Sequence, residues 1–351
     1  MRQYGVLYDV GRAMGSRSPN WRPDYTPALV RRELEIIHND VAANAVRLCG
    51  RDLTRLLAAV EHAVVLGLHV WICPELWNAT PRQTLGYLAE AAAAAEPLRE
   101  RWPDQLTFSV GNELTLFMRD IVPGRNHAQR SQPARLREIV MGGRHTPRLR
   151  AFLADAVATI RRGYHGPISY CSLPFESPDW DLFDIVAVNH YRQASPARRY
   201  EAVLERLLAI GKPVAITELG FVACRDAGNP AFLSTLNATP PSLLGLSFPA
   251  VGRFVRPRVR TIQTRDEGAQ ARLLIDQLES LDRVGVDSTF VTSFSFPLAP
   301  YDDDPRHDLD ATALSIVRGL PGGRRGTSFP DMPWEPKQAF HALAEFHRQQ
   351  P

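Results

Sequence analysis

Short apolar runs alternate along this chain with longer stretches whose apolar residues recur every three or four positions, and the alternation occurs eight times. The short runs read as strands and the longer ones as amphipathic helices. Tyr4–Asp9 is the first run, followed by a helix over Pro27–Asn39 with Thr26 as N-cap and Pro27 in its first turn. Ala45–Cys49 is the second, and Asp52 caps a helix that stops at Gly67. His69–Pro74 precedes an alanine-rich helix over Pro81–Arg101, and Leu106–Val110 precedes a long polar loop and a helix over Thr146–Gly163. Runs five and six, Ile168–Leu173 and Ile185–Asn189, are separated by only a short helical turn. A helix over Arg198–Ile210 leads into run seven, Pro213–Thr217. After a long insertion, a helix over Asp266–Val284 precedes run eight, Phe290–Phe296, and a helix over Pro336–His347 closes the pattern.

Strands that alternate with helices pair in parallel through right-handed crossovers. Eight such units, rather than five or six, point to an α/β fold of the closed (β/α)8 TIM-barrel type. No GxGxxG follows the first run and Gly322–Gly323 follows no strand, so a nucleotide-binding sheet loses its main support. The 351 residues exceed the usual size of one domain. A barrel of about 250 residues nevertheless accommodates residues 1–351 as a single domain. The surplus falls into long βα loops 4, 7 and 8, near Leu114–His145, Gly220–Arg265 and Leu298–Glu335, over the C-terminal face. Loops of that length are usually functional lids or disordered segments.

Composition narrows the partners. The net charge is +3, and of 41 basic residues only Lys212 and Lys337 are lysine. No basic stripe carries interleaved aromatics, so the arginine excess reads as the bias of a GC-rich genome and no nucleic-acid partner is expected. No apolar stretch approaches the roughly 18 residues a membrane span needs. Cys49, Cys73, Cys171 and Cys224 lack metal-ligand spacing, and the histidines form neither HxH after the first strand nor HExxH. Neither a metal nor another cofactor is expected. With a strand at the very start and no apolar leader, the expectation is a cytoplasmic protein acting on a small molecule, its oligomeric state open.

In such a barrel, function sits at the C-terminal ends of the strands. Those positions are Asp9, Arg47, Glu75 with Trp77, Asn112-Glu113, Glu176, Asn189 with His190-Tyr191, Glu218 and Phe296. Carboxylates ending strands four and seven face each other across the mouth. Cleavage of a glycosidic bond needs such a pair, one protonated to hand a proton to the leaving oxygen and one ionised. The plainer alternative is a pair of rim carboxylates neutralised by neighbouring arginines. The aspartates at 302, 303, 304, 308 and 310 lack the calcium-loop pattern and read as a solvated acidic loop.

These motifs resemble those of the clan A glycoside hydrolases, a superfamily of retaining (β/α)8 enzymes. Val110-Gly111-Asn112-Glu113 and Ile216-Thr217-Glu218 carry the likeness, with Asn44-Ala45-Val46-Arg47-Leu48, Tyr191, and the tail Trp334-Glu335-Pro336-Lys337-Gln338-Ala339-Phe340. The resemblance implies Glu113 as acid/base, Glu218 as nucleophile, Asn112 at the sugar 2-hydroxyl, and Arg47 and Tyr191 beside the nucleophile. In finer detail the chain is similar to actinobacterial proteins often labelled "abortive infection". It departs where strand eight usually ends in tryptophan, here Phe296, and where Tyr301–Asp308 replaces a GxVD segment. Three functions follow: a retaining glycosidase or transglycosidase on a small soluble glycoside, a barrel recruited for acid/base chemistry such as cyclisation of a non-sugar substrate, or a non-catalytic sugar-binding or defence-related protein.

Overall fold

The computed structural model describes residues 1–13, 20–194, 196–230, 237–247 and 255–350. Eight parallel strands close into a barrel in sequential order. They are β1 (Gln3–Gly11), β2 (Ala45–Gly50), β3 (His69–Pro74), β4 (Leu106–Asn112), β5 (Ile168–Ser172), β6 (Ile185–Asn189), β7 (Val214–Leu219) and β8 (Ser288–Val291). The (β/α)8 reading therefore holds. Helix starts follow the caps read from the sequence. Thr26 Oγ1 accepts from the Leu29 amide and Asp52 Oδ1 from the Arg55 amide, both at 3.1 Å. Each satisfies an amide that the first helical turn leaves without a partner.

Two layers of apolar packing hold the barrel. The outer layer joins strands to helices and includes Val6, Tyr8, Val46, Leu48, Leu34, Leu56, Leu88 and Leu153. The inner one fills the bore with Leu7, Ala45, Cys49, Trp71, Cys73, Ile185, Ala187, Ala215 and Phe290. Alternation along each strand puts Arg47 on the same face as Ala45 and Cys49, and Glu75 on that of Trp71 and Cys73. Cysteines far apart in the chain thus meet in the bore as buried free thiols.

Ladder register shifts at strand ends, between Asp9 and Gly11, between Ser109 and Asn112, and at Glu218. A bulge re-aims the side chain that follows it. Here the three bulges fall on strand ends that carry candidate site residues, and Glu218 turns inward although its neighbours Ala215 and Thr217 occupy the alternate positions.

Three expectations need correction. Strand eight starts earlier and ends earlier than Phe290–Phe296, because Ser288 and Thr289 are buried strand residues despite their polarity. The regular strand ends at Val291, although the Thr292 and Phe294 amides still donate to the Leu219 and Leu7 carbonyls. Second, the last helix is Gln338–Arg348, and Trp334–Pro336 instead pairs antiparallel with Val317–Gly319. Third, Asp308 and Asp310 are buried rather than solvated. Arg265 reaches them at 2.7 and 3.0 Å, and the fully buried Lys337 Nζ lies 2.9 Å from Asp310. Loop 4 contains three short helices, Leu114–Phe117, His127–Arg130 and Pro133–Gly142, and loop 7 is described only in part. Among the described residues, no helix is long and apolar enough to cross a membrane.

The tightest approach in the barrel wall is at Gly5, where an added Cβ would lie 1.8 Å from the Ala45 carbonyl oxygen. Gly5→Ala is therefore expected to lower stability by about 3 kcal/mol, read from urea unfolding midpoints. A midpoint equal to that of wild type would contradict this packing.

Candidate active site

Arg47 lies in the bore beneath the mouth with no solvent exposure, near the thiols of Cys49, Cys73 and Cys171. A buried guanidinium needs a partner, and Glu218 supplies it. Arg47 Nη1 donates to Glu218 Oε1 at 2.8 Å and to the Thr217 carbonyl at 3.2 Å. Tyr191 Oη donates to the other oxygen, Oε2, at 2.8 Å. Asn112 Nδ2 approaches Oε1 at 3.5 Å. Burial alone would raise the Glu218 pKa. The charges of Arg47 and Arg12, with the bonds from Arg47 and Tyr191, more than offset it and hold the carboxyl below its ordinary value.

Glu113 has the opposite environment. It follows β4 in a left-handed conformation, φ 46° and ψ 45°, and its amide donates to the Cys171 carbonyl at 2.9 Å. Burial, reinforced by the negative charge of Glu218, pushes its carboxyl up to about 8, and the bond from Asn189 only partly offsets this. Two asparagines connect the pair. Asn189 Nδ2 donates to Glu113 Oε1 at 2.8 Å and to Asn112 Oδ1 at 2.9 Å, while Asn189 Oδ1 accepts from Thr217 Oγ1 at 2.8 Å. Each amide orientation is set by a donor or acceptor of fixed sense.

The rest of the mouth divides into a polar and an aromatic side. Asp9 accepts from the Gly11 and Arg12 amides and from Arg12 Nε, the last at 2.6 Å. Glu75 is buried between Arg47 Nη2 at 3.7 Å and Arg12 Nη1 at 3.8 Å, and burial pushes its carboxyl up to about 7 against both charges. Trp77 stacks on Phe117 at 4.1 Å and meets Trp21 edge-on at 5.1 Å, and Trp21 meets Phe296 at 5.6 Å.

Two rim residues face elsewhere. Glu176 accepts from the Leu173 and Thr115 amides and from Tyr170 Oη, which itself accepts from the Leu114 amide. It thereby holds the turn that follows Glu113. His190 stacks on Tyr200 at 4.0 Å and bonds its carbonyl, outside the mouth. Pattern reading missed Arg12 and Trp21, both beyond the end of β1 in a loop without periodicity; the only signal was a tryptophan close to a rim strand. Among the described residues, no group of three or more His, Cys, Asp or Glu side chains could hold a metal ion.

No protein-family model matches the sequence, and no curated protein matches it either. Solved structures do. A GH113 β-mannanase from Alicyclobacillus acidocaldarius is similar at a TM-score of 0.55 and 14% identity, over 99% of this chain and 98% of that one. Thermotoga maritima Cel5A, solved in complex with cellobiose, gives 0.53 and 13% over 88% and 97%. A β-glucuronidase from Bacteroides uniformis gives 0.58 and 14% over all of this chain but 35% of its own. The chain has the barrel fold of these glycoside hydrolases. These neighbours lend no support to the finer likeness to proteins labelled "abortive infection".

The raised Glu113 pKa has a consequence for stability. In the unfolded chain this carboxyl ionises near 4.5 and in the folded protein near 8. Between those values only the folded state keeps the proton, so stability falls as pH rises through the window. Glu113→Gln does not titrate. Its stability advantage over wild type is expected to grow between about pH 5 and 8 and to level off above that. Urea titrations across the range check this, and a constant difference would refute the assigned environment.

Proposed function

We propose that this protein is a retaining glycoside hydrolase, or transglycosidase, that acts on a small soluble glycoside. One observation carries the reading: Glu113 and Glu218 share one hydrogen-bonded network through Asn112 and Asn189, yet Arg47 and Tyr191 bond Glu218, so that burial raises the Glu113 carboxyl while these partners lower that of Glu218. Ordinary rim carboxylates neutralised by arginine would both stay ionised. Here only Glu218 has an arginine in direct contact, and Glu113 has none among the described residues.

In the first step a Glu218 oxygen attacks the anomeric carbon as the glycosidic C–O bond breaks, and the leaving oxygen takes the Glu113 proton. Tyr191 and Arg47 keep the attacking carboxylate in one orientation, which lowers the entropic cost of reaching the reactive geometry. Glu113 is then ionised and takes a proton from water or an acceptor alcohol, which attacks the same carbon and releases Glu218. Asn112 and Asn189 lie between the two carboxyls, where a hydroxyl next to the anomeric carbon would meet amide groups.

A panel of aryl glycosides tests this. Wild type is expected to turn over at least one, with a bell-shaped pH profile whose upper limb lies near 8 and reports Glu113. Glu218→Ala is expected to lose about 10³-fold or more in kcat. Glu113→Gln is expected to lose less on activated aryl leaving groups than on alkyl ones, and to lose the upper limb. A wild-type enzyme that turns over none of the panel, while binding a non-sugar carbonyl or alkene substrate, would favour the recruited acid/base reading instead.

A further inference from the structure

The carboxylates at the barrel mouth differ in how fully their oxygens are used. Asp9 and Glu218 each accept several hydrogen bonds within the protein. Glu75 is 4% exposed, and neither of its oxygens has a hydrogen-bond partner. Its two arginine neighbours stand at 3.7 and 3.8 Å, beyond the roughly 2.7–2.9 Å of a charge-assisted hydrogen bond. Arg47 Nη2, on one side of the gap, is likewise buried without a partner. Arg12 bonds Asp9 through Nε and presents Nη1 to Glu75.

Resting on the glycosidase reading, we propose that Arg12, Glu75 and Trp21 form a sugar subsite beside the nucleophile, selective for a neutral polyhydroxylated ring. A hydroxyl is the group that suits such a gap, because it donates to a carboxylate and accepts from a guanidinium at once. A carboxylate on the ligand would match the arginines and repel Glu75, and an ammonium group would do the reverse. Arg12 is also neutralised already, since Asp9 Oδ2 lies 2.6 Å from its Nε. The aromatic side supplies the apolar platform. The Arg12 guanidinium lies 4.9 Å from the centre of the Trp21 ring and 5.5 Å from that of Trp77. Trp21 is half-buried and braced edge-on by Trp77 and Phe296, leaving part of its surface for the C–H face of a sugar.

Trp21 and the residue after it are tied to β1 and its surroundings. The Trp21 amide donates to the Arg12 carbonyl at 2.9 Å. The next residue, Arg22, is buried and donates to Glu33 at 2.7 Å, to the Asp9 carbonyl at 3.2 Å and to Ser295 at 3.4 Å. Arg47 links the subsite to the reaction, with Nη1 on Glu218 and Nη2 toward Glu75.

Calorimetric titration with the uncleavable thio-linked disaccharides methyl thio-β-cellobioside and methyl thio-β-mannobioside tests the proposal, with sodium glucuronate and glucosamine as charged controls. Wild type is expected to bind at least one neutral disaccharide more tightly than either control. Trp21→Ala and Glu75→Gln are each expected to weaken that binding about tenfold, while Trp21→Phe keeps most of it. On an aryl glycoside, Trp21→Ala and Trp21→Phe are expected to differ in KM rather than kcat. No binding of either disaccharide, tighter binding of a charged control, or unchanged affinity in Trp21→Ala and Glu75→Gln would overturn the subsite. Binding that these substitutions weaken, in a wild type that turns over no glycoside, would uphold the subsite and defeat the glycosidase reading.

Discussion

A guanidinium with no exposure to water lies in the bore of this barrel, and the chemistry of the mouth depends on how its charge is met. Arg47 cannot shed its proton, so anions must come to it. Glu218 does so directly, at 2.8 Å. That contact keeps Glu218 ionised, and the resulting negative charge, added to burial, raises the pKa of Glu113. Burial thus raises the Glu113 carboxyl, while Arg47 and Arg12 with Tyr191 lower that of Glu218, and the two glutamates take opposite protonation states. The arrangement is asymmetric by construction, because only one of the two carboxyls reaches the arginine.

Backbone irregularity aligns these groups. Regular strands would alternate side chains between bore and outer layer and could not present both Thr217 and Glu218 to the mouth. The register shift at Glu218 allows it, and a second shift before Asn112 brings that amide beside Glu218. Glu113 then turns into a left-handed conformation, held by the hydrogen bond its amide donates to the Cys171 carbonyl and by the Glu176–Tyr170–Leu114 chain behind it. Such strain persists where the surroundings fix it.

Much of this was legible in the chain. Apart from the eighth strand, the apolar runs placed the strands closely, since strand burial and helix caps are local properties. The end of each strand then named Asp9, Arg47, Glu75, Trp77, Asn112, Glu113, Asn189, Tyr191, Glu218 and Phe296, and the structure brings all of them to one mouth. Glu176 reads the same way locally but serves the backbone, because which hydrogen bonds it finds depends on the turn after a different strand. Arg12 and Trp21 were hard to read for the complementary reason: their segment has no periodicity, and Trp21 is placed by its bond to the Arg12 carbonyl and by the neighbouring Arg22, which is bonded to β1, the first helix and the segment after β8. Asp308 and Asp310 lie in a sequence that looks solvated, and are buried only because Arg265 and Lys337 arrive from distant segments.

The central claim is that Glu218 attacks while Glu113 delivers the proton. Incubation with α- and β-configured dinitrophenyl 2-deoxy-2-fluoroglycosides, followed by peptide mass mapping, tests it most directly, because the fluorine slows release of any covalent glycosyl-enzyme. The account predicts one glycosyl unit on the peptide that contains Glu218, formed by the glycoside that wild type also cleaves. Cleavage of that glycoside with no adduct, or with the adduct on another residue, would contradict it.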